Sequence, residues 1–161
     1  MGEYDTAQIC LNGHTVNSTA HAAPERNEEF CSKCGQKTLT ACPACGTCIR
    51  GLHRSDNNSF EFSFPNYCFK CGTSFPWTQR KISAIGELVD AMSELADAEK
   101  DDIKSRLPDI IFDNPGTEAA SIAVKQALSK MGKEGRLVAE EKILDLASEN
   151  AKKIIFEGLW A

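Results

Sequence analysis

The sequence has no cysteine in its last 90 residues, although eight cysteines lie among the first 71. It also has no apolar run near the roughly 18 residues that a membrane-spanning helix needs, so we expect no membrane span. The first residues are acidic where a secretory signal would be basic, and we therefore expect a cytoplasmic protein. In a reducing compartment, closely spaced cysteines indicate metal binding in preference to disulfides.

Positive charge is scarce as well. The chain has 18 Lys and Arg residues against 23 Asp and Glu, a net charge of −5. Residues 1–80 hold 7 basic and 7 acidic residues, and residues 81–161 hold 11 and 16. Binding to nucleic acid without sequence preference depends on Lys and Arg close to the phosphates. This charge balance disfavours nucleic acid as a partner, although a nucleic-acid-binding zinc ribbon stays an alternative hypothesis.

Familiar catalytic signatures are also missing. The sequence contains no P-loop, no HExxH zinc-protease motif and no GxSxG nucleophile motif. We predict that the protein is not an enzyme. The alternative is a redox or zinc enzyme that uses Cys48, the one cysteine outside the paired pattern described next. His21 and His53 are spare histidines, and we expect each to be a surface or loop histidine.

The first half of the chain contains four closely spaced pairs of metal-ligand residues. The pairs are Cys10 with His14, Cys31 with Cys34, Cys42 with Cys45, and Cys68 with Cys71. A glycine follows the second cysteine in three of the pairs, at a position that often needs a positive φ. A zinc ion takes four N or S ligands, and two pairs supply them. The sequence therefore predicts two structural Zn²⁺ ions per chain, held by all eight side chains.

Spacing alone leaves two ways to join the four pairs around two metals. Sequential pairing closes loops of 16 and 22 residues, and a cross-braced arrangement closes loops of 27 and 33. Loop-closure entropy separates the two by only about 0.5 kcal/mol per loop. We favour sequential pairing because each half would then flank a hairpin, as in a zinc ribbon. Residues 49–54 and 59–64 read as the two strands of the second hairpin, and residues 15–30 as a short hairpin or an irregular loop.

An aromatic segment lies at the end of this half. Its seven members are Phe60, Phe62, Phe64, Tyr67, Phe69, Phe75 and Trp77. Such a cluster is typical either of a binding platform for a peptide or single-stranded nucleic acid, or of a face that packs against other elements. We favour packing against the helices that follow.

From Pro76 onward the apolar residues recur with helical spacing. We predict three or four amphipathic helices, with Pro108 breaking or kinking the second and one long last helix after Gly135. Leu137 and Ala147 are placed on the apolar side of that last helix. The predicted fold is α+β, with a double zinc ribbon in residues 1–75 and a helical domain in residues 76–161.

Three stretches of sequence resemble one bacterial family. They are residues 4–14, residues 30–35 and residues 75–78, and the likeness continues to the Lys152–Ile154 segment. This family is catalogued as domain of unknown function 2321. The resemblance implies a bacterial protein with an N-terminal double zinc ribbon, and it implies no activity. The closed sets of four ligands, the missing catalytic signatures and the acidic charge balance lead us to predict a zinc-binding adaptor whose ribbons bind a protein partner, and whose helices pack against them or form a homo-oligomer.

Overall fold

The structure of the chain is a computed structural model, which describes residues 3–53, 55 and 62–157. The chain divides into two compact units, Met1–Arg80 and Lys81–Ala161. The first contains small antiparallel sheets and the second contains helices. The predicted α+β fold class is therefore confirmed. The predicted boundary between residues 75 and 76 lies close to the division between the units, which falls within the first helix.

Five short strands occur among the described residues of the first unit. They are β1 (Tyr4–Thr6), β2 (Gln8–Cys10), β3 (Thr15–Asn17), β4 (Thr38–Leu39) and β5 (Arg50–His53). β1 pairs with β5, and β2 lies between β3 and β4, all antiparallel. The strand predicted for residues 49–54 is thus present as β5. Its partner is β1, where Tyr4 lies opposite His53.

The second strand of the predicted hairpin is wrong in its described part. Residues 62–64 are not in a strand, and residues 54 and 56–61 lie outside the described part of the chain. The backbone carbonyls of the next two residues accept hydrogen bonds from side chains of the first helix. Trp77 Nε1 donates to the Pro65 carbonyl at 2.9 Å, and the Thr78 hydroxyl donates to the Asn66 carbonyl at 2.8 Å. This segment is therefore fixed by side-chain hydrogen bonds instead of a strand ladder.

Aromatic side chains supply much of the core of the first unit. Phe75 and Trp77 are buried and stacked, with ring centroids 4.6 Å apart. The other buried members of this core are Ala7, Ile9, Cys42, Ile49 and Cys68. Phe62 and Phe64 pack against it, whereas Tyr67 and Phe69 are exposed and Phe60 lies outside the described residues. Four of the seven aromatic residues therefore form or contact the core of the first unit.

Five helices occur in the described residues, where the sequence predicted three or four. They are α1 (Pro76–Asp90), α2 (Asp97–Ile111), α3 (Thr117–Ser129), α4 (Lys133–Leu146) and α5 (Glu149–Phe156). Their buried apolar side chains form a separate core, which includes Ile85, Leu107, Ile110, Val124, Leu128, Ile143 and Ile155. None of the described helices is long and apolar enough to cross a membrane.

Two helix boundaries differ from the predictions. Pro108 lies inside α2 and does not break it, since the helix continues to Ile111. The predicted long last helix is instead divided at Ala147, since Ser148 is the N-cap of α5 and its backbone N–H donates to the Ile110 carbonyl at 2.9 Å. The buried face of α4, which includes Ala139 and Ile143, also differs from the predicted one. Leu137, predicted to be on the apolar side, is 57% exposed.

Replacing Ser148 with Ala tests this division of the last helix. The Ser148 hydroxyl accepts the Ala151 N–H at 3.3 Å and donates to Asp113 Oδ1 at 2.6 Å. Loss of an N-cap side chain costs about 1 kcal/mol, so we expect the urea midpoint, followed by far-UV circular dichroism, to fall accordingly. Ser105→Ala is the control, because Ser105 lies inside α2, where alanine is the better helix former. Equal midpoints for the two variants would contradict the assigned cap.

Candidate metal centres

The structure brings all eight predicted ligand residues together in two groups of four. The His-containing group is Cys10, His14, Cys31 and Cys34, and the all-cysteine group is Cys42, Cys45, Cys68 and Cys71. Within each group the possible ligand atoms lie within 4.8 Å of one another. The pairs are therefore joined sequentially, as the sequence favoured, and not cross-braced. All eight cysteines are described, and all are free thiols.

The atoms of the His-containing group have the spacing of a tetrahedron. Cys10 Sγ lies 3.7 Å from Cys34 Sγ. His14 Nδ1 lies 3.5 Å from Cys10 Sγ, 3.3 Å from Cys34 Sγ and 3.7 Å from Cys31 Sγ. Metal–sulfur bonds of about 2.3 Å and metal–nitrogen bonds of about 2.0 Å give tetrahedral edges of about 3.8 Å for S–S and 3.5 Å for N–S. This group therefore fits a four-coordinate metal ion bound through Nδ1 of the histidine.

The all-cysteine group fits the same geometry. Cys42 Sγ lies 3.7 Å from Cys71 Sγ, and Cys45 Sγ lies 3.7 Å from Cys68 Sγ. These distances match the edge of a tetrahedron of sulfur atoms around a metal and far exceed the roughly 2.05 Å of a disulfide bond. Both groups are therefore close enough to bind metal ions.

Each cysteine knuckle has the same backbone turn. The N–H of the first cysteine donates to the carbonyl five residues later at 2.8–2.9 Å, and the glycine N–H donates back to the first cysteine carbonyl at 2.7–2.9 Å. The glycines have φ values of +69°, +71° and +71° at Gly35, Gly46 and Gly72. An L-residue rarely adopts this conformation. The glycine after the second cysteine is thus required by the turn that aims both sulfurs at one point.

The first pair uses a different turn, which is part of a sheet. Gly13, with φ +87°, allows His14 to fold back, so that the His14 carbonyl accepts the Cys10 N–H at 3.0 Å. Cys10 ends β2 and lies opposite Thr38 of β4. Because β4 follows the second pair along the chain, the β2–β4 ladder holds the first two pairs together.

Hydrogen-bond donors favour the thiolate form at several of these cysteines. The backbone N–H of Gln36 lowers the pKa of the Cys34 thiol to about 6. The hydroxyl and N–H of Thr73 lower the pKa of Cys71 to about 6, whereas burial raises the pKa of Cys42 to about 11. The thiolate is the form that binds a metal, and outer-shell donors of this kind orient metal ligands. A bound cation would favour the thiolate at Cys42 too.

Cys48 belongs to neither group, and the structure explains its position. It is exposed and forms a β-bridge with Ala41, the residue before Cys42. The same bridges join Phe30 with Lys37 and Tyr67 with Ser74. Cys48 therefore occupies the position that closes the turn, which lysine and serine fill in the other two knuckles. A backbone contact places it near the metal ligands.

The two spare histidines also lie outside both groups. His21 is exposed, and its backbone N–H donates to Asp5 Oδ1 at 3.0 Å. His53 is in β5, with Nε2 3.6 Å from a Glu3 carboxylate oxygen and its ring 4.7 Å from that of Tyr4. His53 therefore lies in the strand predicted for residues 49–54, where pairing with β1 holds it.

Buried polar side chains that the sequence did not reveal hold the long segment between the first two pairs. Gln8 Nε2 donates to the Glu28 carbonyl at 2.9 Å, and Gln8 Oε1 accepts the Glu28 N–H at 3.0 Å. Asn17 Nδ2 donates to the Ala23 carbonyl and to Asn27 Oδ1, both at 2.8 Å. Beyond β3, residues 18–30 therefore form an ordered loop with a short 3-10 helix, Pro24–Arg26, in place of a hairpin.

Comparison with known proteins identifies one family. A family model described as "uncharacterized protein conserved in bacteria (DUF2321)" matches residues 3–155. The matched region contains both groups of candidate ligands and extends into α5. No curated protein and no solved structure matches the chain. The match therefore spans both units.

Proposed function

The chain belongs to the DUF2321 family of proteins conserved in bacteria, and we propose that it is a non-enzymatic adaptor whose first unit is a double zinc ribbon. The His-containing group and the all-cysteine group each hold one structural Zn²⁺ in this proposal. The surface that the two ions stabilise binds a protein partner. The observation that carries the proposal is the presence of four N or S donors at tetrahedral spacing in each group.

The chemistry of the donors supports zinc as the metal. One group offers three thiolates and an imidazole, and the other offers four thiolates. Both combinations are common in structural zinc sites, and thiolates select soft or borderline ions over Mg²⁺ and Ca²⁺. The first unit also has few buried apolar residues and strands of two to four residues. Metal binding would then supply a large part of its folding free energy.

The number of ligands supports a structural role over a catalytic one. A catalytic zinc site keeps one coordination position for water or substrate and uses three protein ligands. Here four side chains converge on each point, which leaves no such position in a tetrahedral site. The ions would therefore stabilise the surface of the first unit, and recognition of a partner would fall to side chains on that surface.

Photo-crosslinking in bacterial cells tests the adaptor function. A photoreactive amino acid in place of Phe30 or Lys70, both exposed on the first unit, should crosslink to a defined protein. The same substitution at Val138, exposed on α4, is the matched control for non-specific capture. Crosslinks that arise equally from all three positions, or that form with nucleic acid, would contradict the proposal.

A further inference from the structure

Arg50, the first residue of β5, lies between two aromatic rings on the surface of the first unit. Its guanidinium carbon is 3.8 Å from the centroid of the Phe69 ring and 5.0 Å from that of the Tyr4 ring. The two aromatic residues are 57% and 45% exposed. Stacking on aromatic faces holds a guanidinium group in place and leaves the N–H donors along its edge available.

No carboxylate in the described ranges 3–53, 55 and 62–157 lies within ion-pair distance of the Arg50 guanidinium. Glu3 and Asp5, the described acidic residues that line the same surface, have other partners. Glu3 lies 3.6 Å from His53 Nε2, and the Asp5 carboxylate accepts backbone N–H groups at 2.6, 3.0 and 3.1 Å. Within the described part of the chain, Arg50 is therefore a positioned cation whose donors have no anionic acceptor.

A surface cavity of about 360 Å³ lies beside this cation. The residues that line it include Tyr4, Thr6, Thr47, Cys48, Arg50 and Phe69. This volume is at the small end of the range for ligand sites, which suits a short peptide segment. Two of the lining residues lie next to members of the all-cysteine group. Thr47 Oγ1 is 3.3 Å from Cys45 Sγ, and Phe69 follows Cys68 in the chain. A metal in that group would thus fix the shape of the cavity.

We propose that this Arg50 cleft binds the carboxylate of an Asp or Glu side chain in an extended segment of a protein partner. The proposal rests on the proposed adaptor function and names the partner chemistry for the same unit. A guanidinium group binds a carboxylate through two parallel hydrogen bonds. The two flanking rings would cover the apolar stem of the acidic side chain. Arginine and tyrosine are also enriched among the residues that dominate protein interfaces.

Charge favours a peptide over nucleic acid as the occupant. A nucleic-acid backbone needs several cations in succession along its phosphates. Among the described residues that line it, the cleft offers one cation, Arg50, and the carboxylates of Glu3 and Asp5 are part of the same lining. One carboxylate placed against Arg50 satisfies the cation, whereas a row of phosphates would meet the two acidic residues.

Binding of synthetic peptides to the full-length, zinc-loaded chain tests the cleft. The probes are acetyl-Gly-Ser-Leu-Glu-Leu-Ser-Gly-amide, which carries one carboxylate, and the matched peptide with Gln in place of Glu, with an oligothymidylate as the nucleic-acid arm. We expect saturable binding of the Glu peptide, with amide NMR shifts at Tyr4, Arg50 and Phe69. The Gln peptide should bind at least roughly tenfold more weakly, and the oligothymidylate should not compete.

Variants assign the binding to the guanidinium group. Arg50→Met should weaken binding of the Glu peptide at least roughly tenfold. Arg50→Lys should be intermediate, because an ammonium keeps the charge but not the planar fork. Glu3→Gln should bind as tightly as the unmodified chain or more tightly. Arg26→Met is the matched control and should bind normally, since Arg26 is an exposed cation of the same unit that does not line the cleft. Metal content of two per chain verifies that each variant is folded.

The possible results separate this inference from the adaptor function. No binding of the Glu peptide, equal binding of the Gln peptide, or unchanged binding by Arg50→Met would overturn the Arg50 cleft. So would tighter binding of the oligothymidylate at the same residues. Protein crosslinks from Phe30 or Lys70 in cells, together with any of these results, would reject the cleft and keep the adaptor. The absence of protein crosslinks from both positions would reject the adaptor function itself.

Discussion

Removing the metal from the purified chain is expected to unfold the first unit and to leave most of the helical signal. The strands of the first unit have two to four residues, and its core has few apolar members. Such a small core rarely folds without metals or disulfides. The buried side chains of residues 85–156 form their own cluster. Far-UV circular dichroism and amide NMR during titration with a chelator measure the two units separately.

Two cysteine variants make this expectation specific. Cys68→Ser removes a buried member of the all-cysteine group, so the purified chain should contain one metal instead of two and lose amide dispersion in residues 42–75. Cys48→Ser is the matched control, since it changes a nearby exposed thiol outside both groups, and it should keep both metals. Loss of all helical signal with the metal would show that the two units fold together. Loss of a metal from Cys48→Ser would make the ligand assignment wrong.

The second large effect is expected from Gly51→Ala in β5. A Cβ atom at this position would lie 2.2 Å from the Ser18 carbonyl oxygen and 2.9 Å from the Ala7 backbone nitrogen. Both are backbone atoms, and they are held by hydrogen bonds of 2.8 Å, from Leu52 N–H to Ser18 and from Ala7 N–H to Ile49. The clash therefore cannot be relieved by a side-chain rotation. We expect a loss of more than about 3 kcal/mol, at the upper end for single substitutions.

Thermal release of zinc, followed with a zinc-sensitive dye, measures this loss in the first unit. Gly86→Ala is the control, because a Cβ in α1 would meet Leu107 Cδ1 at 3.9 Å, an ordinary contact. Alanine is the better helix former by about 1 kcal/mol, so Gly86→Ala should leave zinc release unchanged and raise the helical stability. An unchanged release temperature for Gly51→Ala would contradict the close packing of β5 on the Ser18 and Ala7 backbone.

The candidate metal centres could be predicted from the sequence because their determinants are local. Each pair is contained in four or five residues, and the positive φ of a residue such as Gly35 is encoded by the glycine itself. The helical spacing of the second half was equally informative, since Ile85, Leu107 and Val124 are buried as their periodicity predicts. These signals need no knowledge of distant parts of the chain.

The features that could not be predicted depend on contacts between distant residues. β1 pairs with β5 across more than forty residues, and strands of three or four residues are too short to show a period. Asn17 is buried because of its hydrogen bonds to Ala23 and Asn27, although an asparagine side chain is usually exposed. Ser148 ends one helix and begins another because of its bonds to Ile110 and Asp113. Tertiary hydrogen bonds overrode local patterns at these positions.

Native mass spectrometry of the intact chain tests the central claim most directly, because it determines the number and the identity of the bound metals together. Two closed groups of four ligands, with every cysteine reduced, predict one dominant species that carries two zinc ions per chain and no disulfide. A chain that carries one metal or none, that carries a different metal, or that contains disulfides among these cysteines would contradict the assignment of two structural zinc centres.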